Sequence, residues 1–408
     1  MQVLYPHCAG LDVHKDSVVA RIRCVSEPPH DAVRSFSTTT SALLELNEWL
    51  RTYGVTHVAM EATGVYWKPV WHLLEEDFEL VLANAQHIRN VPGRKTDVND
   101  ATWIADLLAH GLIRSSFVPP PEIQELRDLT RTRKQLVREI AQHNLRIQKT
   151  LEDANLKVGS VLSDILGKSG RAILQAIIAG ESDPEKLADL AYGNAKKRRG
   201  ELVESLRGRI RVHHRELLRI HLNVIESLQQ AMADIDARVG KALAPIQDSA
   251  RLLTTMPGVN EVTAQVMVAE IGVDMTRFPS AAHLISWAGL CPKNDESAGK
   301  RRSTRVRQGA PWLKTTLVTV AWGAVRTRDS YLQAQFHRLR ARRGAKKAIV
   351  AVAASMLTAA YHMLKNGVEY RDLGADHFTR RDRSKAIQRL VRRLADLGCH
   401  VQMTPQAA

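Results

Sequence analysis

The sequence predicts an α/β domain at the N-terminus, a long helical middle region with a coiled coil, and a mainly α-helical C-terminal domain that begins with a helix-hairpin-helix. Short β-rich runs alternate with helical patterns over the first 115 residues, as in an α/β domain. Two long charged stretches nearly free of Gly and Pro follow, and a later Pro-Gly pair separates two helical patterns. A chain of 408 residues is also too long for one ordinary domain.

The N-terminal domain is predicted from short strands with helices between them. Two β-rich runs, 9–13 and 17–24, flank the polar turn His14-Lys15-Asp16, which indicates a hairpin. Three further strands are expected at 35–40, at 56–60 with Glu61 at its end, and at 80–84. Three helices are expected at 41–50 with Ser41 as the N-cap, at 65–76, and at 97–110 with Gly111 as the stop.

The boundary of this domain is predicted at Pro119-Pro120-Pro121, which interrupts the pattern. Beyond it, 122–157 and 200–246 have the composition of long helices, which could pair as an antiparallel hairpin or form a dimer contact, with a small helical insert between them. Five apolar positions of the second stretch have the 3, 4, 3, 4 spacing of a coiled-coil seam: Ile225, Leu228, Met232, Ile235 and Val239. We therefore divide the chain into domains at 1–118, 119–248 and 249–370, with a basic tail at 371–408.

The segment 253–272 has the pattern of a helix-hairpin-helix. Pro257-Gly258 would form a tight turn whose backbone amides can face a phosphate, and the following helix would present its positive N-terminal end to the same anion. An ordinary turn between two helices has the same pattern. The basic segment that follows favours the DNA-binding interpretation.

The charge distribution points to a polyanionic partner. The chain has a formal net charge of +15 and a pI near 9.8, which favours nucleic acid first and an anionic membrane second. Residues 1–115 carry a net charge of −4, whereas residues 292–347 carry a net charge of +12. Acidic sites bind metal ions and basic sites bind phosphates, and an enzyme that acts on nucleic acid needs both.

The remaining composition argues against secretion and against a membrane protein. The N-terminus has no basic segment followed by a long apolar run, so no signal peptide is expected. The most apolar stretch, 348–364, is rich in alanine and is interpreted as a buried helix, with no membrane partner. The four cysteines are scattered without a CxxC pair, which fits the reducing cytoplasm.

Four carboxylates are candidates for a metal site. Phosphoryl transfer with Mg²⁺ needs several oxygen ligands that converge from rigid elements. Asp12 lies within the first strand, and Glu61 ends a short apolar strand, where an unpaired charge is costly. Asp97 and Asp100 are three residues apart and share a face at the start of a helix, although N-capping residues occur at the same positions.

Three acidic motifs give the chain a family resemblance. Gly10-Leu-Asp-Val-His-Lys-Asp16, Met60-Glu-Ala-Thr-Gly64 and Lys95-Thr-Asp-Val-Asn-Asp100 resemble those of the DEDD transposases of the insertion-sequence one-ten family. Met256-Pro-Gly-Val259 and Gly289-Leu-Cys-Pro292 resemble segments of that family's second domain. The resemblance covers roughly residues 8–365 and implies a RuvC-like domain with the ribonuclease H fold, in which Asp12, Glu61, Asp97 and Asp100 hold Mg²⁺, with Mn²⁺ as a substitute.

The resemblance also implies a serine nucleophile in the second domain, which attacks DNA and forms a covalent phosphoserine link. The matching residue is Ser297, but this chain has Ser-Ala-Gly where the family usually has Ser-Gly, so Ser303 is the alternative. A serine hydroxyl is a weak nucleophile and needs activation. Basic residues nearby could bind the scissile phosphate: Lys300, Arg301, Arg302, Arg305 and Arg307. On the residues alone, a phosphate-binding loop is the preferred interpretation of Ser297, and the resemblance reverses that preference.

The partners implied by the resemblance are DNA and a structured guide RNA that the element encodes and that pairs with donor and target DNA. The site of one subunit would be completed by the serine of another, so a dimer or a tetramer would be active. Sequence choice would then lie in base pairing, and the protein would bind backbones and shapes.

Three other functions fit parts of the sequence. A RuvC-like structure-selective nuclease would keep the carboxylates without a covalent serine. A non-catalytic nucleic-acid-binding protein would not need all four acids. A sugar-kinase-like ATPase could open with a similar strand and hairpin, but we find no convincing pair of Gly-rich phosphate loops in the sequence.

Overall fold

The computed structural model describes residues 2–25, 30–62, 64–84, 88, 100–292, 295–297, 300–303, 305–306, 309–381, 383–399 and 402. The chain divides into two compact units, Met1–Val118 and Pro119–Ala408, and each is described by itself.

The first unit is built on a mixed five-stranded sheet. Its strands are β1 His7–Val13, β2 Ser17–Cys24, β3 His30–Ser37, β4 His57–Glu61 and β5 Glu79–Ala83. They lie in the order β3-β2-β1-β4-β5. Strands β1, β2 and β3 are antiparallel neighbours, whereas β4 is parallel to both β1 and β5. The predicted α/β architecture and the predicted β1–β2 hairpin are confirmed.

Helices cover both faces of this sheet. They are α1 Thr40–Thr52, α2 Trp67–Leu74 and α3 Asp100–Ala109. Leucines of α1 and α2 pack with Leu11 and Met60 on one face. Helix α3 packs with Cys8, Ala59 and Ala83 on the other. This alternation follows from the period of two in a strand, and it leaves the central strands buried on both sides.

The boundaries of several elements differ from the predictions. Helix α1 begins after Thr39 and not after Ser41, and Thr39 caps it without a side-chain hydrogen bond. Strand β3 begins five residues before the predicted run, because its pairing with β2 extends from Ser17/Ser37 to Cys24/His30. Asp97, at the predicted start of the third helix, lies outside the described residues.

The second unit contains two long antiparallel helices, α4 Pro121–Asp153 and α10 Val212–Leu243. Arg133 pairs with Asp236 part-way along the two helices, and Asp153 contacts His214 where α4 ends and α10 begins. Of the predicted seam, Ile225 and Val239 are buried, and the other three positions are half-buried. The predicted helix over 200–246 is wrong as a single element, because the chain leaves the helix between Ser205 and Val212.

Five short helices lie between the long ones and share a core with one end of the pair. They are α5 Val158–Val161, α6 Lys168–Ala179, α7 Pro184–Asp189, α8 Asn194–Lys197 and α9 Arg199–Ser205. Their apolar side chains pack with Ile147 and Leu151 of α4 and with Leu218 and Leu222 of α10. We refer to this group as the distal helical cluster.

The rest of the second unit is mainly helical. Its helices are α11 Gln247–Thr254, α12 Glu261–Ile271, α13 Ala281–Ala288, α14 Pro311–Ala324, α15 Tyr331–Arg343, α16 Ala345–Asn366, α17 His377–Arg381 and α18 Arg383–Asp396, with 3₁₀ turns at Ala244–Ile246 and Met275–Arg277. A short hairpin, β6 Asp295–Ser297 and β7 Lys300–Ser303, lies between α13 and α14.

Helix α16 contains the most apolar stretch of the sequence and is long enough to cross a membrane by length and composition. Nine of its side chains, from Ala348 to Met363, are buried, and the helix contacts α11, α13, α14 and α15. It is therefore a core helix of this unit, as predicted.

Candidate active site and nucleic-acid interface

Asp12 and Glu61 end two neighbouring parallel strands side by side. The paired register of β1 and β4 ends at Leu11 and Met60, and Asp12 and Glu61 are the next residue on each strand. Neighbouring strands lie about 4.8 Å apart, and residues at equivalent positions face the same side of the sheet. The two carboxylates therefore emerge together at the carboxyl edge of the sheet.

Helix α3 runs antiparallel to β1 across the same face. The chain just before β1 bonds to the carbonyl oxygen of Ala109 at the end of the helix. Along the strand, the thiol of Cys8 contacts the carbonyl oxygen of Ala105 at 3.7 Å. A Cβ atom on Gly10 would overlap the carbonyl oxygen of Ala101. Glycine at position 10 is what allows the strand and the helix to approach so closely.

This direction brings the start of α3 to the carboxylate edge. Gly10 and Asp12 face the same side of β1 because they are two residues apart. The helix begins at Asp100 beyond its contact with Gly10, and so at the end where Asp12 and Glu61 emerge. The positive end of the helix dipole favours carboxylates at this place. Three of the four predicted ligands thus share one end of one face.

The three described carboxylates differ in exposure. Asp12 and Glu61 are half-buried, and Asp100 is exposed. A hydrogen bond of 3.1 Å joins Asp12 Oδ2 to Nε2 of His14, an exposed residue that the sequence analysis did not select. The sequence does indicate this contact, because His14 follows Asp12 by two residues at the end of the first strand. This contact orients the Asp12 carboxylate.

Asp12, Glu61 and Asp100 are not all within mutual metal-ligand distance, and Asp97 lies outside the described residues. Within the described parts of the chain, the one trio that meets this distance is Asp153, His213 and His214. Its donor set, with two imidazoles, does not resemble the oxygen ligands that Mg²⁺ prefers.

The hydrogen bonds of His214 also argue against a metal at that trio. The Nδ1 atom of His214 accepts the amide N–H of Arg211 at 3.2 Å, so the ring proton lies on Nε2, which donates to Asp153 at 3.0 Å. A metal on Nε2 would require the opposite tautomer and would break the cap of α10. The arrangement fastens the start of α10 to the end of α4.

Ser297 lies near the tip of the β6–β7 hairpin. It pairs with Lys300 across an antiparallel ladder, and Asp295 pairs with Ser303. A further bridge between Pro292 and Val306 extends the hairpin at its base. The backbone therefore carries the two candidate serines at opposite ends of the short ladder.

The candidate serines differ in what the structure describes of them. The hydroxyl oxygen of Ser303 accepts the amide N–H of Arg305 at 3.2 Å, and this residue is half-buried. The side chain of Ser297 lies outside the described part. Among the basic residues proposed to bind phosphate, Lys300 and Arg305 are exposed, whereas the side chains of Arg301 and Arg302 and the whole of Arg307 lie outside it.

The Pro257-Gly258 turn joins α11 and α12, and its glycine has a packing role. Gly258 has a φ of +79°, in the left-handed region. A Cβ atom there would lie 2.7 Å from the amide nitrogen of Ala324 and 2.8 Å from the carbonyl oxygen of Val320, both on α14. Close helix packing therefore requires this glycine, independently of any phosphate contact.

A buried carboxylate on α12 is bound by arginines of α4. Glu270 is fully buried, and Arg131 donates to both of its carboxylate oxygens at 2.7 and 2.9 Å. Arg127 donates to the backbone oxygens of Ala269 and Glu270, and burial lowers the pKa of Arg127 to about 10. The sequence analysis missed this contact, although a glutamate within an apolar run is the expected signal.

The same stretch of α4 surrounds an indole at the start of α14. Trp312 is half-buried, and three cations of α4 lie 5.4 to 5.8 Å from its rings: Arg131, Lys134 and Arg138. The ammonium of Lys134 also donates to the hydroxyls of Thr315 and Thr316 at 2.8 and 3.0 Å. These contacts connect α4 to the helix that follows the serine hairpin.

Acidic residues at the edge of a mixed α/β sheet, together with a basic hairpin in a helical unit, are typical of enzymes that transfer phosphoryl groups of nucleic acid. A family model described as the DEDD transposase of IS110 matches residues 9–155, and a model of the IS116/IS110/IS902 transposase family matches residues 250–337. The chain belongs to the IS110 family of transposases, which confirms the resemblance described above.

A curated relative is similar over a shorter part of the chain. It is the insertion element IS110 uncharacterized 43.6 kDa protein of Streptomyces coelicolor, which is 33% identical over 121 residues. The similar region covers 29% of this chain and 29% of the relative.

Proposed function

We propose that this protein is an active transposase that cuts and rejoins DNA strands of an insertion sequence by phosphoryl transfer. The observation that carries the proposal is the convergence of Asp12, Glu61 and the start of α3 at one edge of the sheet. The mixed sheet with these acids is compatible with a RuvC-like domain, and the α11–α12 pair with a helix-hairpin-helix.

The donor chemistry of this edge fits a hard divalent cation. Asp12, Glu61 and Asp100 offer carboxylate oxygens, which suit Mg²⁺ and also Mn²⁺. We assign Asp97 to the same site from its motif. Bound Mg²⁺ would supply Lewis-acid stabilisation of charge on the reacting phosphate. The protein residues hold and orient the carboxylates, and His14 releases Asp12 when a ligand binds.

The hairpin would supply the nucleophile. The Oγ atom of Ser297 attacks the phosphorus of a DNA strand, an Oγ–P bond forms, and the bond from phosphorus to the leaving nucleotide oxygen breaks. That oxygen takes up the proton that the serine loses. In the second step, the hydroxyl of a strand end attacks the phosphorus of the phosphoserine, a new O–P bond forms and the Oγ–P bond breaks, and Oγ takes up the proton that the attacking hydroxyl loses. Lys300 and Arg305, both exposed, would bind the non-bridging phosphate oxygens.

The proposed partners are DNA, a structured guide RNA and further copies of this chain, in the cytoplasm. The +12 charge of residues 292–347 supports a nucleic-acid partner. The acids belong to the first unit and the serine to the second. From the resemblance, the site of one copy would be completed by the serine of another, in a dimer or a tetramer. The antiparallel pair of α4 and α10 is the proposed coiled-coil region.

The experiment is to trap the covalent intermediate. Full-length protein would be incubated with Mg²⁺, element-end DNA and the transcript that flanks the gene, and the products would be separated on denaturing gels. Peptide mapping would locate any linked residue. Ser297→Ala and Ser303→Ala are matched variants on the same hairpin, and Asp12→Asn tests the carboxylate site with little change in volume.

We expect a DNA-linked peptide at Ser297 that is lost in Ser297→Ala and Asp12→Asn and kept in Ser303→Ala. A link at Ser303 would reassign the nucleophile. Cleavage without a link would favour the structure-selective nuclease. Nucleic-acid binding without cleavage in any combination of metal and RNA would favour the non-catalytic protein.

A further inference from the structure

A basic surface lies at the tip of the α15–α16 pair, away in sequence from the serine hairpin. The two helices are antiparallel, since Gln335 donates to Ser355 across them, and Gly344, with a φ of +78°, joins them. Six cations occupy the tip: Arg338, Arg340, Arg342, Arg343, Lys346 and Lys347. We refer to them as the tip cations.

All six tip cations are exposed. The sequence has no Asp or Glu from residue 330 to residue 368, so neither helix provides a counter-charge. No ion pair between a tip cation and a described carboxylate is present, although Arg338 lies 4.8 Å from the ring of Phe378. Three other arginines of this unit, Arg133, Arg198 and Arg199, do pair with carboxylates.

The helix dipoles separate the tip cations into two groups. The three arginines in the last turn of α15 lie at its negative end, where cations stabilise a helix without any partner. Lys346 and Lys347 lie in the first turn of α16, which is the positive end, and this turn contains no acidic residue. Folding alone therefore disfavours the two lysines, and an external anion at the tip would offset their repulsion.

The tip has the dimensions of a phosphate-backbone contact. Residues 338–343 rise by about 7.5 Å along the helix axis, and duplex DNA carries about one charge per 1.7 Å. The tip thus faces about four phosphate charges at once. The first-turn N–H groups of α16 have no partner within the helix and add donors for an anion.

We propose that the tip cations form a second nucleic-acid contact, which holds the phosphodiester backbone of DNA or RNA without reading its sequence. The inference rests on the proposed function only in taking nucleic acid as the partner, and the serine chemistry is not needed for it. Backbone contacts of this kind position a nucleic acid on a protein, and base pairing or base contacts supply the sequence choice.

The test uses the full-length variant Lys346→Gln/Lys347→Gln. Its binding to a 30-base-pair DNA duplex and to an RNA stem-loop would be measured by fluorescence anisotropy over a series of NaCl concentrations. The matched control is Lys196→Gln/Lys197→Gln, which removes two exposed lysines from α8. The trapping assay on the same samples reports the serine chemistry separately.

We expect the slope of log affinity against log salt to fall in magnitude by about 1.8 for duplex DNA if that is the ligand, and by a comparable amount for RNA if RNA is. The control should change neither slope. Thermal stability should stay equal or rise, because two unfavourable lysines are removed from a helix start. A slope equal to that of the unmodified protein on both probes would overturn the inference.

Two other outcomes distinguish failure of the tip contact from failure of the proposed function. An unmodified protein that binds neither probe would overturn both this inference and the proposed partner. An unchanged salt slope with the covalent link retained would contradict the tip contact alone, and a changed slope in a protein that forms no covalent link would contradict the serine chemistry alone. Arg342→Gln/Arg343→Gln provides a second variant, which should lower the slope in the same way.

Discussion

Arg131 donates to both carboxylate oxygens of the fully buried Glu270, and so fastens the long helix α4 to the end of α12. The ion pair joins residues 139 positions apart in sequence. A buried carboxylate without its partner is costly, whereas an exposed pair contributes little. The two helices are therefore held together by a buried ion pair that forms only when the chain is folded.

Replacement of Arg131 by alanine should destabilise the second unit strongly. Loss of one partner of a buried pair costs about 3–5 kcal/mol, and Arg131 is the partner that contacts both oxygens of Glu270. The matched control is Arg133→Ala on the same helix, whose exposed pair with Asp236 should contribute less than about 1 kcal/mol. Urea unfolding followed by circular dichroism measures both. Equal effects of the two changes would contradict this interpretation of Glu270.

Gly10→Ala should separate β1 from α3. The added methyl group overlaps the backbone of Ala101 and Ala105, and backbone cannot move as a side-chain end can. We expect a loss of about 1–3 kcal/mol, together with loss of metal-dependent cleavage, because Asp100 shifts relative to Asp12. The control is Gly240→Ala on α10, where a Cβ atom meets nothing. That change should stabilise the chain by about 0.5–1 kcal/mol. Unchanged cleavage in Gly10→Ala would argue against the site.

Stability should fall at mildly acidic pH because of a histidine pair between α4 and α10. His143 and His221 approach at 3.2 Å between their Nδ1 atoms, and Arg146 donates to the other ring nitrogen of His143. Burial, with His143 and Arg146 nearby, lowers the pKa of His221 below its ordinary value of 6.5. The folded chain therefore takes up this proton less readily than the unfolded chain.

The unfolding free energy should thus be fully maintained above about pH 6.5 and should decrease as the pH falls below it. His221→Gln should flatten that dependence, and His337→Gln, at an exposed position, should not. Urea unfolding at several pH values between 5 and 8 measures the slope. A decline in His221→Gln as steep as in the unmodified protein, or steeper, would refute the pair's role.

Gly258→Ala should reduce stability before it affects DNA binding. The methyl group would lie 2.7 Å from the amide nitrogen of Ala324, and the left-handed φ adds strain. Pro257→Ala, at a half-buried position, keeps the glycine and tests the turn more gently. A melting experiment run beside a binding titration separates the two effects. Intact stability with lost binding in Gly258→Ala would restore the phosphate-binding interpretation.

The sequence predicted those elements that local pattern determines. The hairpin around His14-Lys15-Asp16 and the strand that ends at Glu61 follow from alternation and turn residues, and both are present. The exact start of α1 was missed, because Thr39 and Ser41 are equally suitable caps on local grounds. The break after Ser205 was missed because the core of the distal helical cluster decides it.

Local pattern also identified some of the candidate site residues, whereas their spatial arrangement depends on contacts between distant segments. Asp12 and Glu61 were identifiable as acids in apolar strands, but their adjacency depends on the parallel register of β1 and β4. The approach of α3 depends on Gly10, which packs against Ala101, a residue far from it in sequence. The division of the chain beyond residue 118 into further domains stays a prediction. The metal-binding roles of Asp12, Glu61, Asp97 and Asp100 and the catalytic role of Ser297 stay predictions as well.

The distal helical cluster has a practical consequence. Helix α4 is about 50 Å long by its residue count, and the cluster closes its own core at one end of it. Gly193, in the exposed turn before α8, has open space around it and a φ of +59°. A fluorophore or a small tag inserted there would label the protein at a position far in sequence from Ser297 and Ser303. Single-molecule fluorescence could then follow the assembly of the protein on DNA.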